Sequence, residues 1–301
     1  MLFESCKIVG HVDGPRLLVT AGVHGDEWEA MIAVRRLAET LRPEEIRGRV
    51  TLAPILNVSA YRASRRVGED GLDLARTIPG VRDGSPTQQV AFQFTKLLDD
   101  ADYYVDLHTG GVRLSIWPLA GYLIHSDHAV LETQRLMARA FGLNAVWGTD
   151  PTVEGRTLSA ARDRSVPAIY VEYLGSGIFC PIAVQALVTG CKQVMAALGM
   201  VRLNESCSKP RFFAEDARPG AGHLQASHPA PVDGLFETIV APGDLVESGD
   251  VIGHLTADAC GARQPISADR GGRVVAIRTL PRIQAGEAMA VIAPFEEIQD
   301  G

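Results

Sequence analysis

Three short segments carry side chains that could do chemistry together. The first reads G-V-H-G-D-E over residues 22–27 and sets His24 and Glu27 three residues apart in a glycine-rich turn. An imidazole and a carboxylate at that spacing can reach one zinc ion, which accepts both ligand types. The motif alone is short, and a helix entry with Asp26 as N-cap and Glu27 facing water explains it as well. The second segment, Y-Y-V-D-L-H-T-G-G over residues 103–111, closes an apolar run with His108, a candidate third ligand. Asp106, two residues earlier, suits either a partner behind a ligand or a turn cap. The third, A-I-Y-V-E over residues 168–172, ends a buried run on Glu172. A buried carboxylate is costly without a partner or a task, and general base is one such task.

These side chains need elements that bring them to one place. Residues 17–21, 50–56, 103–107 and 168–171 read as strands. Residues 27–41, 87–98, 131–141 and 182–198 have helical spacing, with Ala30, Val34, Leu37 and Leu41 on one face of the first. Alternation of this kind predicts an α/β fold with a mainly parallel mixed sheet flanked by helices. All three chemical segments then fall at carboxyl ends of strands, where ligands gather in an open parallel sheet.

Beyond about Asn204 the pattern changes. Gly, Pro and Ala become frequent, and short strand-like runs follow at 235–240, 251–255, 273–277 and 288–292. We read a catalytic domain over residues 1–204 and a small β-domain over 212–301. A weak repeat, G-L-F-E-T-I-V…G-D-V-I-G against G-R-V-V-A-I-R…G-E-A-M-A, suggests two similar halves of barrel-sandwich type. Biotinyl and lipoyl carriers of that shape need a lysine, and none follows Lys209, so a carrier function is excluded.

Taken together, the motifs resemble the succinylglutamate desuccinylase/aspartoacylase family of the zinc carboxypeptidase superfamily. The matching features are G-x-H-G-x-E at 22–27, D-G-L-D-L-A-R-T-I-P-G at 70–80, D-L-H-T-G at 106–110 and the late Glu172, in that order. The resemblance spans nearly the whole chain. It implies a carboxypeptidase-like fold with one Zn2+ per chain held by His24, Glu27 and His108, and Glu172 as the base acting on a water activated by zinc. It implies Arg65 at the scissile carbonyl, with the register against Arg66 open by one residue, and Arg76 on a substrate carboxylate. The family's asparagine before that arginine is Ala75 here, which argues against the usual acidic substrates.

The expected activity is zinc-dependent removal of an acyl group from the nitrogen of a small amino-acid-like substrate. Its rivals are a zinc carboxypeptidase acting on peptides and a non-catalytic binding protein on the same fold. A net charge of -7 disfavours nucleic acid as a partner. No apolar run reaches the roughly 18–20 residues of a membrane helix, and residues 1–10 lack a secretory stretch. Five scattered cysteines, Cys6, Cys180, Cys191, Cys207 and Cys260, read as reduced thiols of a cytoplasmic protein. A homo-oligomer is compatible with all of this.

Overall fold

A computed structural model describes residues 2–204, 208–225, 227–257 and 261–298. Cys207 and Cys260 lie outside the described residues, and Cys6, Cys180 and Cys191 are unpaired. In chain order the first eight strands are β1 (Cys6–Val9), β2 (Val12–Thr20), β3 (Arg47–Ala53), β4 (Tyr103–His108), β5 (Leu114–Leu123), β6 (Ala145–Thr149), β7 (Ala168–Gly175) and β8 (Phe212–Glu215). The helices are α1 (Trp28–Thr40), α2 (Val58–Arg62), α3 (Pro86–Leu98), α4 (His128–Ala140), α5 (Thr157–Arg162) and α6 (Pro181–Ala197).

The central sheet runs β1-β3-β2-β4-β7-β5-β6-β8. The pairs β3–β2, β2–β4, β4–β7, β5–β6 and β6–β8 are parallel, while β1–β3 and β5–β7 are antiparallel. The expected mainly parallel sheet therefore changes direction between β7 and β5: β3, β2, β4 and β7 run one way, and β5, β6 and β8, with β1 at the other edge, run the opposite way. Apolar clusters lie on both sides of the sheet. One gathers α1, α4 and α6 around Val105, Leu107 and Val171, and the other gathers α3 and α5 around Leu18, Tyr104 and Ala168. Strands buried on both faces read as apolar runs without alternation, as residues 103–107 and 168–171 do.

The remaining strands are β9 (Gly234–Thr238), β10 (Leu245–Val246), β11 (Val251–Ala257), β12 (Arg263–Ser267), β13 (Gly272–Arg278), β14 (Arg282–Ile283), β15 (Ala290–Ala293) and β16 (Glu296–Glu297). They form two antiparallel layers, β12-β11-β9-β14 and β10-β13-β15, closed over a small core that includes Phe236, Ile252, Leu255, Val274 and Ile292. This is the layering expected of a barrel-sandwich unit. The layers are not detached from the central sheet. Strand β13 pairs with β5 through Ala276↔Ile116 and Arg278↔Leu114, and β16 pairs with β8. The sheet thus crosses the boundary drawn between residues 204 and 212: β8, which falls beyond it, pairs with β6 of the catalytic part.

Candidate metal centre and active-site cavity

Strand β2 ends at Thr20, and the turn before α1 presents His24 and Glu27. Glu27 occupies the N-cap of α1 but makes no capping bond with its side chain. The carboxylate instead turns inward, so the helix-entry explanation fails. The turn packs tightly on α2: a Cβ at Gly25 would lie 2.0 Å from the Ala60 carbonyl carbon. Only glycine allows that approach.

His108 ends β4. The parallel register between β4 and β7 sets His108 directly beside Glu172. His24, Glu27, His108 and Glu172 are all buried, at 3–8% exposure. His24 Nδ1 is 2.6 Å from Glu27 Oε1, and His108 Nδ1 is 2.9 Å from Glu27 Oε2. One donor atom from each of these three residues lies within 4.8 Å of the others, the one such group among the described residues.

Several features fit this set to a divalent cation. Each imidazole turns its far nitrogen to a carboxylate: His108 Nε2 lies 3.0 Å from Asp106 Oδ2, and His24 Nε2 lies 3.3 Å from Asp73 Oδ1, off a good hydrogen-bond line. A proton on each Nε2 leaves the Nδ1 lone pairs aimed at the centre, the pattern of carboxylate-backed metal histidines. Asp106 is itself held by the Thr20 and Thr157 hydroxyls, which donate to it over 2.7 and 2.5 Å. Burial would raise the Asp106 carboxyl, but the His108 ring and these hydroxyls outweigh it and hold the group below its ordinary range. Burial opposes ionisation of Glu27 too, and the two imidazoles pull it down. Three carboxylates, Glu27, Asp73 and Asp106, around two imidazoles leave an excess of negative charge that suits a dication.

Glu172 behaves differently. Burial, opposed by the His108 ring and reinforced by Glu27, pushes its carboxyl up to about 8. Its Oε2 is buried without a hydrogen-bond partner. An unpartnered carboxylate beside the centre is free to exchange a proton with whatever lies there.

The cavity over these residues is lined by Arg66, Arg76 and Arg156, together with Ala75, Leu123 and Tyr170. Arg65 does not reach it. Ser64, at φ 48°, reverses the chain, and the Arg65 side chain folds back to donate to the Val67 and Gly68 carbonyls. Arg66 enters the cavity instead, its Nε 3.0 Å from Asp73 Oδ2. The expected arginine is therefore displaced by one residue. Arg76 is where the motif placed it, donating only to the Ala75 carbonyl at 2.7 Å. Burial lowers the Arg76 guanidinium despite Asp73 nearby.

Arg156, which starts α5, was not singled out in the sequence. Burial and the charge of Arg76 push it down to about 10, and no carboxylate pairs with it among the described residues. Its segment carries no motif beyond an isolated R-T, so nothing local marked it. Asp73 lay inside the matched motif, but its partnership with His24 needed the fold. Gly222, Leu224 and Gln225, in the segment after β8, close the far side of the cavity. Trp117 is core, packed against Phe212 and Phe295 at 5.2 and 5.4 Å between ring centres.

Known proteins resemble the chain over most of its length. Residues 13–198 match the family model of the succinylglutamate desuccinylase/aspartoacylase catalytic domain. The chain is 31% identical over 296 residues to the N-alpha-acetyl-L-2,4-diaminobutyric acid deacetylase of Halomonas elongata, covering 96% of this chain and 85% of the relative. Among solved structures it is similar to a succinylglutamate desuccinylase from Silicibacter sp. TM1040, with TM-score 0.88, 27% identity and coverage of 98% and 89% of the two chains. It is also similar to the product-bound ectoine utilization protein EutE of Ruegeria pomeroyi, with TM-score 0.86, 26% identity and coverage of 96% and 87%.

Proposed function

The chain belongs to the succinylglutamate desuccinylase/aspartoacylase family, and from that premise we propose that it is a zinc-dependent deacylase for a small N-acylated amino acid whose side chain is not acidic. The observation that carries this reading is the convergence of His24, Glu27 and His108 with an unpartnered Glu172 in register beside them. His24, Glu27 and His108 would hold the zinc. When bound, zinc supplies Lewis-acid activation of water and of the scissile carbonyl.

The chain's own groups do the rest. Glu172 takes the proton of the attacking water and returns it to the leaving nitrogen. Arg66 stabilises the negative charge that grows on the carbonyl oxygen. Arg76 and Arg156, neither in an ion pair among the described residues, grip the substrate's carboxylate from two sides. Arg156 thus supplies a donor that the absent asparagine at Ala75 would have given, and the penalty expected from Ala75 shrinks. The space above the Ala75 methyl remains, and it suits an aliphatic or amine-bearing side chain. The substrate that gives the Halomonas relative its name, an N-acetylated 2,4-diaminobutyric acid, has such a side chain.

No helix among the described residues is long and apolar enough to cross a membrane. The unpaired thiols suit a reducing compartment, and the cytoplasm is the proposed location. The test is amine release by zinc-loaded protein from N-acetyl-2,4-diaminobutyrate, N-acetyl-aspartate, N-succinyl-glutamate and neutral N-acetyl amino acids, with C-terminal peptides alongside. Highest kcat/KM on an acidic substrate would refute the side-chain assignment. Preference for peptides would favour a carboxypeptidase, and no turnover on any member a binding protein.

A further inference from the structure

Tyr170 stands two residues before Glu172 on β7, so both side chains leave the same face of the strand. Its neighbour across the antiparallel β5–β7 pair is Gly121. A Cβ at Gly121 would meet the Tyr170 Cζ, Cε1 and hydroxyl oxygen at 2.2–2.4 Å. The tip of the ring therefore packs directly on the Gly121 backbone of β5, and any larger residue at 121 would displace it. Tyr170 also lines the active-site cavity. Glu172 and Arg156 line the same cavity, near enough that burial and the Glu172 charge push the Tyr170 hydroxyl up while Arg156 opposes them.

That position identifies the part of the substrate it meets. Glu172 must lie beside the leaving nitrogen to return a proton to it. Arg156 holds the carboxylate carried by the same amine half. A ring that stands beside Glu172 on β7 and lines the same cavity as Arg156 meets the amine half, not the acyl group. The open face of an aromatic ring carries partial negative charge, which attracts ammonium groups and methylenes and repels carboxylates.

We propose that Tyr170, seated on Gly121, is the specificity-determining floor of the amine-product subsite, selecting a cationic aliphatic side chain over an acidic one. This rests on the deacylase reading above and adds the residue that enforces its substrate class. Tyr170 has no part in the bond-breaking step.

The experiment compares kcat/KM for N-acetyl-2,4-diaminobutyrate and N-acetyl-aspartate in wild type, Tyr170→Phe and Tyr170→Leu, with bound zinc measured in each. Leucine fills space without a π face. The ratio should fall about five- to thirtyfold in Tyr170→Leu, chiefly through KM, at unchanged zinc content. Tyr170→Phe, which keeps the face, should hold the ratio within about twofold. Should Tyr170→Leu not fold, Gly121→Ala displaces the ring while keeping it and should lower the ratio in the same direction. A ratio unmoved in the folded Tyr170→Leu variant, or in Gly121→Ala where that variant stands in, overturns the proposal. Inactivity of the wild-type enzyme on every N-acyl substrate would instead overturn the deacylase reading itself.

Discussion

At the scale of single residues, the site divides into groups that hold and groups that act, and substitution separates them. His108→Ala removes one of three donors and leaves Asp106 and Glu27 facing a void. The variant should lose most bound zinc and nearly all activity, read by metal analysis and amine release. Glu172→Gln keeps shape but cannot take a proton. Hydrolysis should fall by about 10²–10⁴ while zinc content stays at the wild-type level, and near-normal turnover would remove Glu172 from its role. The arginine pair offers a sharper contrast. Arg66→Ala should lower kcat by about 10²–10³, the usual loss for one donor to a developing oxyanion. Arg65→Ala loses only bonds to the Val67 and Gly68 carbonyls and should stay within a few fold of wild type. The reverse outcome would restore the register first read from the sequence. That register was not legible because it turns on the backbone of Ser64, whose positive φ no residue type announces.

At the scale of elements, legibility followed burial pattern. Helices α1, α3, α4 and α6 each bury one face, so their apolar spacing is visible in the sequence. Strands β4 and β7 are short apolar runs and were equally plain. Strand β5, the longest in the molecule, was missed. Its sequence, L-S-I-W-P-L-A-G-Y-L, holds Pro118 and Gly121, both poor strand formers, and it is buried on both faces, so no alternation marks it. Asp70 shows how a motif residue can serve an element and not the chemistry. Its carboxylate accepts from the Ser85 hydroxyl at 2.6 Å, the Thr87 amide at 2.9 Å and the Thr87 hydroxyl at 2.7 Å, at the entry to α3. Burial would raise this carboxyl, but those donors hold it down at about 2. A lowered carboxyl stabilises the fold above its unfolded pKa of about 4 and loses that contribution as pH falls toward 2. Asp70→Ala should cost about 0.5–2 kcal/mol at pH 7, as loss of a helix cap does. The gap in Tm between variant and wild type should narrow between pH 4 and pH 2.5. A gap that holds constant over that range would show that the carboxylate's charge plays no part.

At the scale of the whole molecule, the question is whether the C-terminal layers form a separable unit. The sequence reading put a change of architecture near residue 204 because composition shifts there, whereas β8, after that point, still belongs to the central sheet. That reading gave no sign that the two parts share a sheet, since pairing between distant strands leaves no local trace. Strand β13 hydrogen-bonds along β5, the strand that also flanks Glu172 through Leu119. A single apolar cluster joins Leu114, Ile116 and Trp117 to Val275, Ala276, Val291 and Ala293. Truncation after residue 204 would bare that surface and open the edge of β6. Exposing even three large apolar side chains costs on the order of 5 kcal/mol, comparable to the roughly 5–15 kcal/mol that holds a domain folded. The truncated chain should therefore aggregate or unfold, and not survive as a zinc enzyme of altered selectivity. The intact, metal-loaded chain should melt in one calorimetric transition whose van't Hoff and calorimetric enthalpies agree. Two resolved transitions, or a soluble truncated chain with full zinc content, would show that the layers are docked onto the catalytic part without sharing its stability. In that case the segment bearing Leu224 and Gln225 could be altered without cost to the fold, and its part in closing the cavity would have to be measured by point substitution there.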